Sequence, residues 1–182
     1  AYERKDSATK AWLEDEYPKI KKEAKKDDAD IWWADETACQ NLANNLKGYA
    51  PIGTHNKPIL EHTAKKFKIN MISAITNTGK SMFALYDESI KIDSFIEFCK
   101  LVKEWEEENS KYIKLFYLPA YSPDYNPDEY LNQDYKQSAN KYALPTSQKQ
   151  LRSNTEKYML SLQQNPQKVA NFFKHPKVQY AS

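Results

Sequence analysis

The sequence predicts an α/β fold, a mixed sheet flanked by helices, and three features carry that reading. Residues 67–76 (FKINMISAIT) and 81–87 (SMFALYD) are apolar runs joined by NTGK, whose Gly79 supplies turn chemistry, so they form a hairpin. DIWWADET (30–37) and IKLFYL (113–118) hold two further apolar runs of strand length, read as buried strands. Segments with helical spacing separate and follow them, and the first strand plus the hairpin open the mixed sheet.

In chain order, residues 7–27 read as helix, with Trp12, Leu13 and Ile20 apolar, a break or re-start at Pro18 and a lysine-rich second half. Ile31, Trp32 and Trp33 form a buried strand that ends on Asp35 and Glu36, so Asp35 closes a strand. If the strand continued, Glu36 would face the opposite side. Residues 38–66 lack a strong period, and Gly48, Pro51, Gly53 and Pro58 mark loops. From Ile92 the apolar positions Phe95, Ile96, Cys99, Val102 and Trp105 follow helical spacing, predicting one helix over 92–108. Helices at 127–142 and 147–163, separated by Pro145, and a short one with Pro166 early in it complete the chain.

The 182 residues suffice for one domain with a substantial core, and 40% hydrophobic with 13% aromatic residues excludes a disordered chain. The net charge of +2 comes from 27 basic and 25 acidic residues, enough of each sign to segregate onto separate faces, so nucleic acid remains a possible partner. Cys39 and Cys99 lack metal spacing and read as reduced thiols. His55, His62 and His175 read as no one's ligands. No run approaches a membrane span and no apolar leader follows the N-terminus, so the expectation is a soluble, cytoplasmic protein.

The stretch LPAYSPDYNPDEYLNQD (118–134) concentrates the chemistry. Its prolines at 119, 123 and 127 prevent helix before Asn126, which is the N-cap of a helix with Pro127 at its first position. Glu129 then has two readings. It closes a capping box with Asn126, worth about 1 kcal/mol, or it is a ligand for a hard divalent cation over a phosphate. Asp128 and Asp134 read as serving the helix N-terminus and solvent. Lys57, Lys65, Lys66, Lys68 and Lys80, with Lys136 and Lys141, are candidate phosphate contacts.

IWWADET, the hairpin, FIEFCK, LVKEWEEENSKYIKLFYLPAYSPDYNPDEYLNQDYKQ and the ending FFKHPKVQYAS resemble the catalytic domain of mariner-like bacterial insertion-sequence transposases, the DDE superendonuclease family. The resemblance implies a ribonuclease-H-like domain over 30–182 behind a helical linker at 1–29. It also implies double-stranded DNA at transposon ends as substrate, Mg²⁺ or Mn²⁺ as cofactor, and a homodimer or an intact transposase as partner. It places the first catalytic and metal-binding acid on Asp35 and the third on Glu129. The family's second acid follows a strand between the FIEFCK and LVKEW helices. Here Phe98-Cys99-Lys100 runs straight into Leu101-Val102-Lys103, so that central fourth strand and its acid are missing, and impaired catalysis is expected. Asp87 and Asp93 are the acids weighed as substitutes, Asp87 first. Two structural expectations follow: a helix fused across Lys100 and Leu101, and IKLFYL moving in to pair in parallel with DIWWAD.

Overall fold

The computed structural model describes residues 6–41, 65–105, 113–139 and 144–182. The N-terminal helix runs as α1 (Asp6–Ala11), a π-helical turn (Trp12–Glu16) and α2 (Tyr17–Lys26). Pro18 therefore does not break it. The proline has no N–H and its ring would strike the carbonyl four residues back, and the wider π turn just ahead accommodates both.

Three strands follow, β1 (Trp33–Gln40), β2 (Lys68–Ile75) and β3 (Ser81–Tyr86), in the order β1-β2-β3 and antiparallel throughout. The hairpin turn is as the sequence predicts. Gly79 has φ +99, and a Cβ there would lie 2.5 Å from the Pro166 carbonyl oxygen, so only glycine fits. β1 departs from expectation. It starts at Trp33 and continues to Gln40, which places Asp35 inside the strand, opposite Ser73, and not at its end. Thr37 and Cys39 are buried on the same side as Trp33, and their pairing with β2 extends the strand past the acids.

α3 (Ile92–Trp105) is continuous through Lys100 and Leu101, so the fused helix is present up to Trp105, and residues 106–108 lie outside the described residues. IKLFYL is not a strand. Among the described residues it forms no ladder with a strand of the sheet, and Ile113, Leu115, Phe116 and Tyr117 are exposed. Apolar character alone does not make a strand, because a strand needs backbone partners. Among the described residues β1 pairs with β2 only.

α4 (Pro127–Ser138), α5 (Gln148–Gln163) and α6 (Pro166–Phe172) complete the chain. Side chains alternate across the sheet. Trp33, Cys39, Ile69, Met71 and Ile75 face a large core with Trp12, Tyr17, Leu131, Tyr135, Leu151, Met159, Leu162, Val169 and Phe173. Ile72 and Ala74 face the other way, onto Phe98 and Val102 of α3. Among the described residues no helix is long and apolar enough to cross a membrane.

Candidate acidic site between the first strand and the fourth helix

On the large-core face of the sheet, the row from Trp33 to Cys39 on β1 and from Ile69 to Ile75 on β2 is apolar but for Thr37 and for one place where two polar residues face each other. There Asp35 and Ser73 stand opposite each other. Directly opposite residues of an antiparallel pair point to the same side, so the two form one polar spot in an apolar surface. α4 covers that spot. Its inward stripe is Asp128, Leu131, Asn132 and Tyr135, at i, i+3, i+4 and i+7: Leu131 and Tyr135 enter the core, whereas Asp128 and Asn132 meet the polar spot.

Asn126 fixes α4 at this place. Its side chain accepts from the Asp128 N–H at 3.1 Å and its Nδ2 donates to the Ala34 carbonyl of β1 at 3.0 Å. It is the N-cap the sequence predicts. The capping box is not formed: the Asn126 N–H donates to the Pro123 carbonyl, and the Glu129 side chain is hydrogen-bonded to Asp35. Glu129 is therefore directed at Asp35 and not back at the helix cap. Asp35 also accepts from the Glu36 N–H at 2.8 Å and from Asn132 Nδ2 at 3.3 Å. Glu36 itself is exposed on the opposite side of the strand.

Burial pushes the Asp35 carboxyl up, and the hydrogen bonds to Glu36, Glu129 and Asn132 with the nearby Lys136 charge pull against it. Burial and the charge of Asp35 push Glu129 up, and Lys136 again opposes.

Asp128 overturns its sequence reading. It is completely buried, not a solvent-facing helix-end acid. Ser73 Oγ donates to its Oδ2 at 2.6 Å, and its Oδ1 has no hydrogen-bond partner among the described residues. Burial first, then the charges of Asp35 and Glu129, raise its carboxyl well above the ordinary range, against the Ser73 bond. Its position on the stripe with Leu131 and Tyr135 was the available signal: a residue three before one core position and seven before another must face inward. Asn132 is 1% exposed and its Oδ1 is likewise unpartnered among the described residues. Asp134 also departs from its solvent-facing reading. It accepts from Tyr158 and pairs with Lys168 at 2.5 Å, joining α4 to α5 and α6.

The remaining candidates separate clearly. Lys136 is close enough to act on both carboxyls of the pair. Lys65, Lys66 and Lys68 are exposed at the far end of β2, Lys68 lying five residues, roughly 17 Å, along the strand from Ser73. Lys80 is in the hairpin turn, paired with Asp30 at 2.6 Å and 5.5 Å from the Trp105 ring. Lys57, Lys141, His55 and His62 lie outside the described residues. Asp87 is held on α5, 3.3 Å from Arg152 Nη1 and 3.1 Å from Gln148 Nε2, and Asp93 is in the first turn of α3.

The donors gathered here are oxygens, which suit Mg²⁺ or Mn²⁺ and not a soft metal, and two of them are buried with no donor to satisfy them. The residues thus fit a hard cation. Among the described residues no three His, Cys, Asp or Glu side chains stand as a preformed cage, since Asp128 is turned to Ser73 and the Asp35–Glu129 pair is closed by its own hydrogen bond.

The sequence pattern of the DDE superfamily endonucleases matches residues 30–100 and 97–152, more than half of the chain. The chain belongs to that family. The two matched stretches meet within α3, at the place where the chain passes directly from FIEFCK to LVKEW. The fold is similar to that in the Mos1 mariner paired end complex with Mn, at TM-score 0.61 and 11% identity, and to that in the pre-cleavage Mos1 transpososome, at 0.58 and 11%. Each likeness covers 99% of this chain and 64% of the other, so the chain spans under two-thirds of the length of those transposases. No curated protein sequence matches it.

Proposed function

We propose that this chain is a transposase catalytic domain, residues 30–182 behind the helical segment 1–29, acting on double-stranded DNA at transposon ends. The observation that carries the reading is the Asp35–Glu129 pair, two acids brought from β1 and α4 into hydrogen-bond contact in a DDE-family chain. In this reading both side chains hold a divalent cation, Mg²⁺ or Mn²⁺, and a solved structure of similar fold is a complex with Mn. Such a cation, when bound, activates the attacking oxygen and offsets charge on the leaving one in phosphoryl transfer. Asn132 orients Asp35, and Lys136, beside the pair, is placed to neutralise a phosphate. The exposed Lys65, Lys66 and Lys68, with Lys57 and Lys80, are proposed contacts along the DNA backbone.

Catalysis is weakened in this reading, because the family's second acid and its strand are missing between Lys100 and Leu101. That same absence favours a second reading, a remnant that binds DNA or pairs with an intact transposase without cutting. Metal-dependent nicking of a supercoiled plasmid, compared with Asp35→Asn, separates the two. Weak nicking lost in the variant supports the first reading; salt-sensitive DNA retention with no nicking in either chain supports the second. Absence of both nicking and DNA retention overturns both.

A further inference from the structure

Asp128 is not accounted for by the reading above. A carboxylate with no exposed surface, one oxygen satisfied by a single serine and the other by nothing among the described residues, is costly to bury. One helical turn away, the Asn132 amide lies against Asp35 through its Nδ2, and its own buried oxygen is also without a donor. Two orphaned oxygens on one inward stripe, both beside the Asp35–Glu129 pair, are the donor set a hard cation takes: carboxylates plus a neutral amide oxygen. We infer that Asp128 supplies the carboxylate that the missing strand no longer provides, so that Asp35, Asp128 and Glu129, with the Asn132 amide oxygen, form one divalent-cation site.

This rests on the reading of Asp35 and Glu129 as metal ligands. The family's second acid comes from a strand of its own, whereas Asp128 comes from the same helical turn as Glu129, which needs no fourth strand. Ser73 holds Oδ2 and leaves Oδ1 free, and in this arrangement it is a positioning residue that orients Asp128. Entry of the cation replaces the contact between Asp35 and Glu129 with oxygen–metal bonds. Asp87, the first substitute that the sequence suggests, is instead engaged by Arg152 and Gln148 of α5.

The test is calorimetric titration of Mn²⁺ into the unmodified chain and into Asp35→Asn, Asp128→Asn and Asn132→Ala, with a thermal melt of each, with and without Mn²⁺. Asparagine has the size of aspartate and keeps an oxygen to accept from Ser73, so Asp128→Asn is expected to melt no lower than the unmodified chain without metal. It should lose roughly tenfold or more in Mn²⁺ affinity, the scale on which even outer partners of metal ligands act, and lose the Mn²⁺-dependent rise in Tm. Asn132→Ala should weaken binding less. Asp128→Ser serves as a second neutral variant should asparagine disturb folding. If Asp128→Asn and Asp128→Ser bind Mn²⁺ like the unmodified chain while Asp35→Asn does not, Asp128 is no ligand and the reading of Asp35 stands. If Asp35→Asn also binds normally, the metal site itself is misplaced and both fall.

Discussion

The two faces of the sheet are unequally covered. On one, Trp33, Cys39, Ile69, Met71 and Ile75 lie under the N-terminal helix, α4, α5, α6 and the C-terminal tail, and Phe173, Leu151 and Met159 are sealed among them. On the other, Ile72 and Ala74 are covered by α3, which presents Phe98 and Val102 inward and leaves Ile92, Ile96, Leu101 and Trp105 exposed. The acidic site is built on the first face and the direct passage from Lys100 to Leu101 on the second. The difference teaches that the site's support does not run through the junction: Asp35, Asp128, Glu129 and Asn132 are placed by β1 and α4, both anchored in the thick layer. The direct passage from Lys100 to Leu101 in α3 therefore does not touch the elements that hold these acids.

The largest effect that tests this contrast is alkaline. Tyr17, Tyr135, Tyr158 and Tyr180 all belong to the thick layer, and burial pushes Tyr17 up to about 12 and the other three further. A folded pKa above the ordinary value of about 10 means stability is complete below pH 10 and is lost as pH rises through the folded values. The part of the tyrosinate absorbance that these four residues contribute should therefore rise together with the loss of circular dichroism, in one cooperative step as pH climbs past about 10. Ionisation of these residues near pH 10 with the fold intact would show the layer to be wetter than described.

Next come two equal substitutions on unequal faces. Phe173→Ala, in the thick layer, should cost about 3–5 kcal/mol in urea denaturation. Phe98→Ala, under α3 alone, should cost less, below about 3 kcal/mol, because a thin layer with solvent close by collapses into the space more easily. Amide exchange should show α3 opening by itself in that variant while β2 stays protected. Equal losses from the two variants would erase the contrast. The smallest effect is at the hairpin turn: Lys80→Ala, removing the pair with Asp30 and the approach to Trp105, should stay within about 1 kcal/mol because both partners are solvated.

The hairpin was legible because alternation and a glycine turn are local signals, and the α4 start because Asn126 and Pro127 are specific cap residues. The contact of Asp35 with Glu129 became an expectation only through the family likeness, since nothing local relates positions so far apart. Asp128 was missed because a first-turn acid usually faces water, and its true direction is set by Leu131 and Tyr135 entering the core. IKLFYL was misread for the opposite reason: its composition is that of a strand, and the strand state depends on a backbone partner that composition does not contain. β1 runs on past Asp35 and Glu36 because Thr37 and Cys39, polar or small in sequence, complete the buried row begun by Trp33.

The continuity of α3 has one more consequence. Phe98 and Val102 lie on either side of the junction, four residues apart, and meet the sheet together because four residues nearly complete a turn. Each residue added between them would swing Val102 about 100° around the axis, taking it off the sheet and bringing an exposed neighbour on. The junction is thus a matter of angular phase: of all the lengths at which the two halves could have been joined, those that bring both inward-facing side chains to the same azimuth yield a helix that still adheres to the sheet.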